Sequence, residues 1–554
     1  MISSYSLIDR LADRNMTTVY TVIFLLAVLV LSLGIDAATG ITGKDEYFLS
    51  HRTPLTMMEQ DRWWVPWLDE APRLKKPPML YWLGRASYEV FGPSAASARI
   101  IGVGFAALLV MMTAIIAYRL TENRRYSLLS AFIVLSTLSL AVEGRRMMLD
   151  IPSTAFSAMA FYAFLRWRSE PRAWVAVLGA ASLAAGVLTK GPLTFMLFGS
   201  GLLALFITAG DVRRSLTEQP GHVVLYSVVL LGLTLPWFVY VYLQFPETSL
   251  NMLQEDAGSR QLFTFSSAPV SAFFLLGIPW SFVLLQTLLQ PRYSAAAPTT
   301  IKEQTAFLML WLLISLLPFF FFRSFARYMA GSIVPMALLL ACAMHSADIR
   351  GLRWSARLGM LLGVVVTALF CGAALWFSLA LWMPLLTLIA LGLFVWVWWK
   401  SRHAEAMALS ATLLWMLLLG AVYPQLGINY IPGEVYERVG DKDVILFAGP
   451  QPALLAITKG RAYYRTKHLK EKDFSSTPLI FTPLDNAADL EKQLQDLKQS
   501  YTPQYRYKAL NSRGTWVRFT RRGTTRADWR RALATRSLED LKTEIVLYGP
   551  VTSR

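Results

Sequence analysis

Carboxylates recur in the polar segments that separate the long apolar stretches of this chain. Asp45 and Glu46 follow the first apolar stretch, and Asp150 immediately precedes the fourth. A carboxylate at such a position can act as a general base toward a hydroxyl group. An acidic pair also suits the first turn of a helix, which is the structural alternative for Asp45 and Glu46. The three residues are our catalytic candidates.

Cations occupy the same set of segments. Lys76 precedes Pro77-Pro78, and the stiff backbone there can aim its ammonium group at a phosphate. The alternative is a lysine that extends along the membrane surface. Further phosphate-binding candidates lie in later segments: Arg146, Lys190, Arg260 and Tyr328. For Arg146 an ion pair with Asp150 is the structural alternative. Carboxylates that deprotonate a hydroxyl and cations that hold a departing phosphate suit sugar transfer from a lipid phosphate.

The sequence offers little support for a metal or a cofactor. Both cysteines, Cys342 and Cys371, lie in apolar stretches, and the five histidines are scattered. No metal-ligand spacing of Cys or His is present. We therefore predict no cofactor and no histidine-based metal site. A divalent cation shared by Asp45, Glu46 and His51 stays open as an alternative.

Composition places these residues in a membrane protein. The 554 residues are 55% hydrophobic and only 16% charged, below the quarter that soluble domains carry. A stretch that crosses the hydrocarbon core needs about 20 apolar residues. About thirteen candidate stretches meet this test, at approximately 18–36, 99–118, 126–142, 151–166, 173–189, 193–209, 222–243, 270–289, 305–322, 328–345, 357–377, 380–399 and 405–423.

The basic residues predict how these stretches are oriented. Short cytoplasmic connections are rich in Lys and Arg, and alternate connections here are basic, for example those with Arg119, Arg124 and Arg125, with Arg166, Arg168 and Arg172, and with Arg213 and Arg214. The net charge of +17 therefore indicates topology and contact with membrane lipids rather than nucleic acid. The first stretch is expected to be an uncleaved signal anchor. An odd number of crossings places the C-terminal region outside.

Two regions outside the apolar stretches have their own character. Residues 44–82 mix Trp63, Trp64 and Trp67 with charged side chains, which favours helices lying in the membrane interface. After residue 423, short apolar runs at 444–448, 478–482, 515–520 and 544–548 predict strands, and residues 485–501 predict an amphipathic helix. We therefore predict a transmembrane domain over residues 1–423 and a periplasmic α/β domain over residues 424–554.

Ordered motifs give a resemblance to a known family. They are Asp45-Glu46, Trp63-Trp64-Val65-Pro66, Lys76-Pro77-Pro78, Tyr81-Trp82, Gly144-Arg145 followed by Asp150 and Pro152, Lys190-Gly191-Pro192, Pro236-Trp237 and Pro279-Trp280. In their order they resemble the GT-C superfamily of membrane glycosyltransferases. The resemblance is strongest to the bacterial branch with lipid A aminoarabinose transferase and protein-mannosyltransferase-like enzymes. It covers roughly residues 20–345.

The resemblance implies a fold, a reaction and residue roles. The fold is a polytopic α-helical membrane protein of the bacterial inner membrane, with its active site facing the periplasm. The implied reaction is inverting transfer of a sugar from polyprenyl (undecaprenyl) monophosphate to an envelope acceptor, with lipid A or lipopolysaccharide as first choice. Asp45 would be the base or acceptor-orienting carboxylate and Asp150 its partner. Lys76, Arg260 and Tyr328 would bind the lipid phosphate.

Other functions remain compatible with the sequence. The acceptor alternatives are O-antigen, core sugar and protein. A transporter or lipid flippase is the alternative from another class, and an envelope assembly protein is a third. Transporters more often carry ionisable residues in mid-span, at broken helices. Here the polar residues gather at one predicted membrane face, which favours the enzyme.

Overall fold

The chain folds into a helical part and a smaller α/β part. The computed structural model describes residues 11, 13–36, 46, 50–68, 70–259, 263–289, 299–346, 349–379, 381–400, 404–448, 462–465, 468–511 and 519–551. The structure is mostly helical and has several long apolar helices, which indicates a membrane protein with several transmembrane helices.

The helices of the first part follow one another with short connections. They are α1 (Met16–Ser32), α2 (Arg52–Glu59), α3 (Met79–Phe91), α4 (Ala95–Thr121), α5 (Arg124–Leu135), α6 (Leu138–Glu143), α7 (Asp150–Ser169), α8 (Ala173–Lys190), α9 (Leu193–Thr208), α10 (Asp211–Glu218), α11 (Pro220–Gln244), α12 (Pro246–Ser259), α13 (Ala268–Leu276), α14 (Ser281–Leu289), α15 (Thr299–Leu316), α16 (Ile333–Ser346), α17 (Ile349–Trp376), α18 (Trp382–Lys400) and α19 (Ala404–Met416). A small hairpin, β1 (Trp67–Leu68) with β2 (Ala71–Pro72), joins α2 to α3. A 3-10 turn, Ala326–Ser332, precedes α16.

Each predicted apolar stretch lies on one of these helices or on two adjoining ones. Six helical segments in the described chain are long and apolar enough to cross a membrane, or seven if the bent pair α9 and α10 is one crossing. Several other stretches are interrupted, as at Ser136 and Thr137 between α5 and α6. The exact count of thirteen crossings therefore stays a prediction.

Local sequence explains where the central helix α4 begins and how closely its neighbours approach. Ser94 caps it, because its hydroxyl accepts a hydrogen bond from the Ser97 amide at 3.0 Å while the Ser97 hydroxyl accepts one from the Ser94 amide at 2.9 Å. About two turns into the helix, Gly102 lies against the backbone of Arg146, where a Cβ would stand 2.2 Å from the carbonyl oxygen. A glycine is needed at this close approach.

A polar node fastens the break between α5 and α6. The indole Nε1 of Trp280 donates to Ser136 Oγ at 2.8 Å, and that of Trp415 donates to the Ser136 carbonyl at 3.0 Å. All three residues are buried. Buried backbone groups freed by a broken helix need such partners, so the node joins three segments that are distant in sequence.

The α/β part is built on a five-stranded mixed sheet. Its strands are β3 (Val444–Phe447), β4 (Ala462–Arg465), β5 (Leu479–Pro483), β6 (Tyr501–Ala509) and β7 (Thr543–Pro550). Their order is β4-β3-β5-β7-β6; β3 runs parallel to β4 and β5, and β7 runs antiparallel to β5 and β6. The helices are α20 (Gly433–Val439), α21 (Ala487–Asp496) and α22 (Arg526–Thr535).

Both faces of this sheet are covered, because neighbouring side chains of a strand point to opposite faces. Val444 and Leu446 pack with Val435 of α20, whereas Ile445 and Phe447 pack with Leu490 of α21. Predicted strands at 444–448, 478–482 and 544–548 correspond to β3, β5 and β7. The predicted helix at 485–501 is shorter, since it ends at Asp496. Most of the predicted strand at 515–520 lies outside the described residues.

The α/β part packs on the helical part. One apolar cluster holds Leu138 of α6 and Trp415 of α19 together with Leu510 and Ala532 of the α/β part. The Trp376 indole donates to the Leu533 carbonyl at 3.0 Å. At the edge of the contact, Lys472 Nζ lies 2.7 Å from Glu70 Oε2. The α/β part therefore contacts α6 and the segment between α2 and α3. Its predicted periplasmic location stays a prediction.

Candidate active site

Asp150 opens helix α7 and is the centre of a buried ion cluster. Its carboxylate accepts a hydrogen bond from Lys190 Nζ, at the end of α8, and its Oδ2 lies 3.6 Å from Arg327 Nε. Only 4% of the Asp150 surface is exposed. An acidic residue in the first turn suits the helix dipole, and Pro152 suits the same turn because it needs no backbone hydrogen-bond donor.

Tyr328 completes this cluster. Lys190 Nζ lies 4.0 Å from the centroid of the Tyr328 ring, and the Arg327 guanidinium carbon lies 5.7 Å from it. A ring face attracts cations electrostatically. Three of the predicted site residues, Asp150, Lys190 and Tyr328, are therefore brought together by α7, α8 and the 3-10 turn before α16.

A small cavity of about 30 Å³, open to the exterior on one side, adjoins the cluster. Its lining mixes charged, hydroxyl and apolar side chains. Asp150, Lys190 and Tyr328 contribute charge and a phenol, whereas Leu193 and Phe319 contribute apolar surface. Such a mixed lining fits the region where a charged headgroup meets an apolar chain.

Glu46 forms a second buried cluster, in which its carboxylate binds four groups. Oε1 lies 3.1 Å from Arg99 Nε and 3.4 Å from His51 Nε2, and it accepts the Met147 amide at 3.0 Å. Oε2 lies 3.8 Å from Arg146 Nε. No part of Glu46 is exposed. These contacts anchor the segment after α1 to α4 and to the turn that leads into Asp150.

The charges of this second cluster follow from its burial. Burial raises the pKa of the Glu46 carboxyl, but Arg99, followed by His51 and Arg146, outweighs it and holds that pKa well below its usual range. Burial lowers the pKa of the His51 imidazole, which Glu46 only partly offsets. At neutral pH we therefore assign Glu46 as ionised and His51 as neutral.

Glu143 connects the two clusters. Arg146 Nη1 lies 3.2 Å from both carboxylate oxygens of Glu143, and Glu143 also interacts electrostatically with Asp150 and Arg327. Asp150 thus pairs with Lys190 and Arg327, and Arg146 pairs with Glu143 and Glu46. The alternative of an Arg146–Asp150 ion pair is therefore wrong, since each partner is engaged elsewhere.

The joined clusters hold more positive than negative charge. Their buried or nearly buried cations are Arg99, Arg145, Arg146, Lys190 and Arg327, and their carboxylates are Glu46, Glu143 and Asp150. Arg145 extends toward α1 and donates to the Leu33 carbonyl. Two more cations than carboxylates remain among these described residues. A buried excess of cations is costly unless an anion joins it.

Lys76 lies half-buried in the turn before α3. Leu74 of the same turn packs with Leu188 of α8, two residues before Lys190, and with Trp237 of α11. The Trp237 indole also donates to the Trp64 carbonyl at 3.0 Å. The segment that carries Lys76 therefore covers the end of α8 at which the Asp150 cluster lies.

Two predicted site residues, Asp45 and Arg260, lie outside the described residues, and their roles stay predictions. Arg327 was not among the predicted site residues, although it contacts Asp150. Its position one residue before Tyr328 was an available signal. Arg99 carried no such signal, because it lies in the first turns of an apolar helix.

Sequence comparisons agree with this architecture. Residues 47–251 match the family model described as dolichyl-phosphate-mannose-protein mannosyltransferase. The undecaprenyl phosphate-alpha-4-amino-4-deoxy-L-arabinose arabinosyl transferase 1 of Proteus mirabilis is 27% identical over 310 residues, 51% of this chain and 52% of that protein. An uncharacterised protein of Aquifex aeolicus is 27% identical over 236 residues, 41% of this chain and 45% of its own length. The chain thus matches about half the length of these relatives.

Solved structures extend the likeness to nearly the whole chain. The crystal structure of ArnT from Cupriavidus metallidurans bound to undecaprenyl phosphate superposes with a TM-score of 0.70 over 96% of this chain and 98% of that chain, at 15% identity. The same protein in the apo state gives a TM-score of 0.66 at 14% identity. The chain therefore has the GT-C fold of ArnT and resembles, in sequence as well as in fold, the membrane glycosyltransferases that include aminoarabinose transferase.

Proposed function

We propose that this protein is a lipid-phosphate-dependent glycosyltransferase of the bacterial inner membrane. The observation that carries the proposal is the gathering of Lys190, Arg327 and Tyr328 around Asp150 beside a cavity. A phosphate is the anion that this arrangement suits, since an ammonium and a guanidinium can both donate to its oxygens. The ArnT structure with undecaprenyl phosphate supports a polyprenyl monophosphate as the donor.

The proposed reaction is a single inverting displacement at the anomeric carbon of the sugar. The acceptor hydroxyl oxygen forms a bond to that carbon, and the bond between the carbon and the phosphate oxygen breaks. The electron pair leaves with the polyprenyl phosphate, and the hydroxyl proton passes to the carboxylate of Asp45. Stabilising the charge on the departing phosphate is the main electrostatic task.

The Glu46 cluster supports the role assigned to Asp45. Glu46 is held by Arg99, His51, Arg146 and the Met147 amide, so the residue before it is attached to an anchored point. Glu46 itself is engaged and buried, and we propose that it positions Asp45 rather than accepting the proton. Asp150 would act similarly, by orienting Lys190 and Arg327.

We propose that Lys76, Lys190, Tyr328 and Arg260 bind the donor phosphate, and we add Arg327 to this set. Lys190 and Tyr328 line the cavity, and Arg327 lies beside Asp150 and the Tyr328 ring. Arg146 would favour phosphate binding through its positive charge rather than by direct contact, because its guanidinium already contacts two carboxylates. A divalent cation shared by Asp45, Glu46 and His51 stays an open proposal, since Asp45 lies outside the described residues.

Lipid A or lipopolysaccharide is the first-choice acceptor, and the active site and α/β part would then face the periplasm. The printed name of the Proteus mirabilis relative supports an aminoarabinose-type transfer. O-antigen, core sugar and protein remain alternative acceptors. Mass spectrometry of envelope lipids and glycans, with and without the gene, decides among them. Loss of a sugar from lipid A supports the first choice, and loss from another glycan or protein selects an alternative.

Two substitutions test the enzyme against a transporter or flippase. Asp45→Asn is expected to abolish sugar transfer by the purified protein while leaving membrane insertion intact. Asp36→Asn is the matched control, because Asp36 is an exposed carboxylate at the end of the first apolar stretch, nine residues before Asp45. Full transfer activity in Asp45→Asn would remove the residue from the mechanism.

Lys76→Ala is expected to weaken binding of undecaprenyl phosphate. Lys75→Ala is its control, because Lys75 is exposed and Lys76 is half-buried. Equal donor affinities for the two variants would contradict the phosphate role of Lys76.

A further inference from the structure

A second cavity lies at the opposite end of helices α7 and α8 from the candidate active site. Its surface is apolar, with Phe164 and Trp167 of α7, Val175 of α8, Leu202 of α9 and Leu216 of α10 among its lining residues. Its volume is about 170 Å³ and it is open on one side, which leaves room for part of an acyl chain rather than for a whole lipid. Trp167 follows Asp150 by 17 positions on one helix, so the two sites are separated by about 25 Å.

With the candidate active site at its predicted membrane face, this separation would put the cavity near the other face, because the hydrocarbon core is about 30 Å thick. The polar connections at this end are those that the distribution of basic residues assigns to the cytoplasm. They carry more cations than carboxylates: Arg166, Arg168, Arg172, Arg213 and Arg214 against Glu170, Asp211 and Glu218. The end therefore attracts anionic groups.

Helix α10 covers the cavity. It turns by 111° from α9, and it buries Val212 while Leu216 faces the cavity. Arg168 at the end of α7 joins it, since Arg168 Nη2 lies 3.5 Å from Asp211 Oδ2. The other terminal nitrogen of this guanidinium, Nη1, is buried and has no hydrogen-bond partner among the described residues. A buried donor of this kind calls for an acceptor.

Two further polar groups lie at the cavity. Tyr226 lines it, and the Tyr226 hydroxyl is buried without a hydrogen-bond partner in the described part of the chain. His222 Nδ1 accepts the Trp167 indole at 3.2 Å, so a neutral His222 ring carries its hydrogen on Nε2 and can donate there. The polar groups of His222 and Tyr226 at the cavity, the Arg168 guanidinium next to the lining residue Trp167, and the apolar interior match a molecule with an anionic head and an apolar chain.

We propose that this cavity binds one anionic glycerophospholipid of the cytoplasmic leaflet. Part of one acyl chain fills the space between Phe164, Val175 and Leu202, and the phosphate accepts hydrogen bonds from Arg168 Nη1 and His222 Nε2. The site is distinct from the donor site, and it does not depend on the proposed glycosyltransferase activity.

Native mass spectrometry of the purified full-length protein tests the proposal. Phosphatidylglycerol is the probe, phosphatidylcholine with the same acyl chains is the zwitterionic control, and glycerol phosphate tests the headgroup alone. We expect one retained phosphatidylglycerol, weaker retention of phosphatidylcholine and no retention of glycerol phosphate. Equal retention of the two lipids would show an ordinary lipid shell and overturn the proposal. Binding of glycerol phosphate as tight as that of the lipid would overturn the role of the acyl chain.

Variants assign the binding to this cavity. Arg168→Gln is expected to weaken phosphatidylglycerol binding about ten-fold, as loss of a hydrogen bond to a charged group does. Arg214→Gln is the matched control, since Arg214 is exposed and pairs with Glu218 at 2.6 Å. Val223→Trp is expected to fill the cavity from its exposed wall and weaken binding of both lipids. Arg168→Lys, which keeps the charge, provides a second variant should Arg168→Gln fold poorly. Wild-type affinity in Arg168→Gln, or equal losses in Arg168→Gln and Arg214→Gln, would refute the site.

Discussion

The Asp150 cluster predicts unequal effects when its members are removed. Asp150→Asn leaves both Lys190 and Arg327 buried without their carboxylate, and breaking a buried ion pair in this way costs about 3–5 kcal/mol. Lys190→Met leaves Asp150 with Arg327 at 3.6 Å. The decrease in the free energy of unfolding caused by Lys190→Met is therefore closer to the cost of one hydrogen bond to a charged group, about 1.5–3 kcal/mol.

The free energy of unfolding measures this asymmetry. SDS titration of the purified protein in mixed micelles gives it for the wild type and each variant. Arg172→Gln is the control, because Arg172 is 60% exposed beside Glu170, and surface ion pairs contribute about 0–1 kcal/mol. We expect the loss of stability to be largest for Asp150→Asn, intermediate for Lys190→Met and smallest for Arg172→Gln.

A phosphate ligand should stabilise the wild type and the Asp150→Asn variant to different extents. Undecaprenyl phosphate binds the folded protein and stabilises it by mass action. Asp150→Asn has one buried negative charge fewer, so added undecaprenyl phosphate should stabilise this variant more than the wild type. The reasoning is refuted if Lys190→Met is as destabilising as Asp150→Asn, or if the lipid stabilises Asp150→Asn less than it stabilises the wild type.

Three further substitutions probe the supporting contacts. Burial lowers the pKa of His51 in the folded state, so below about pH 7 the unfolded state binds more protons, and the stability of the fold decreases as the pH drops from about 7 to about 5. His51→Asn should flatten this part of the profile of melting temperature against pH, and an unchanged slope would contradict the assignment. Gly102→Ala should destabilise by about 1–3 kcal/mol in the same SDS titration, because its Cβ would meet the Arg146 carbonyl, and wild-type stability would contradict this packing. Tyr328→Phe should weaken donor binding in calorimetry, because the hydroxyl that donates to the phosphate is lost. Tyr328→Leu should weaken it further, because the ring face that holds Lys190 is lost as well; wild-type affinity in both variants would contradict the role of Tyr328.

Sequence alone predicted the helical regions well because apolar stretches must form helices in a bilayer. It predicted the breaks poorly. Ser136 interrupts one predicted stretch; its backbone carbonyl accepts a hydrogen bond from Trp415, and its hydroxyl accepts one from Trp280. Such partners lie far away in the sequence, so the local hydropathy pattern does not indicate them.

The sequence predicted which residues belong to the site better than it predicted which of them form ion pairs. Asp150, Lys190 and Tyr328 were selected, and they lie together. The Arg146–Asp150 alternative rested on their spacing along one loop, but Glu46 and Glu143 take Arg146 instead. Contacts between separate loops depend on how α4, α7 and α8 pack, and spacing does not record that.

In the α/β part, strand β6 was missed because it is an edge strand. Its N-terminal half is largely exposed and contains Pro503, which removes a backbone donor. The preceding helix was predicted too long, since Lys498 ends it with a φ of 54° in place of a glycine. Buried strands such as β5 were predicted well because both faces are apolar.

The node at Ser136 has a consequence for the order in which the chain matures in the membrane. Ser136 and Trp280 are synthesised well before Trp415, whose indole supplies the second of the two bonds. Until that late helix is inserted, the Ser136 carbonyl must accept a hydrogen bond from another donor or stay without one, which is unfavourable in lipid. The bundle around α6 therefore closes only when the last helices arrive. A nascent chain that stops before α19 would have all the cations of the candidate site but not its final support.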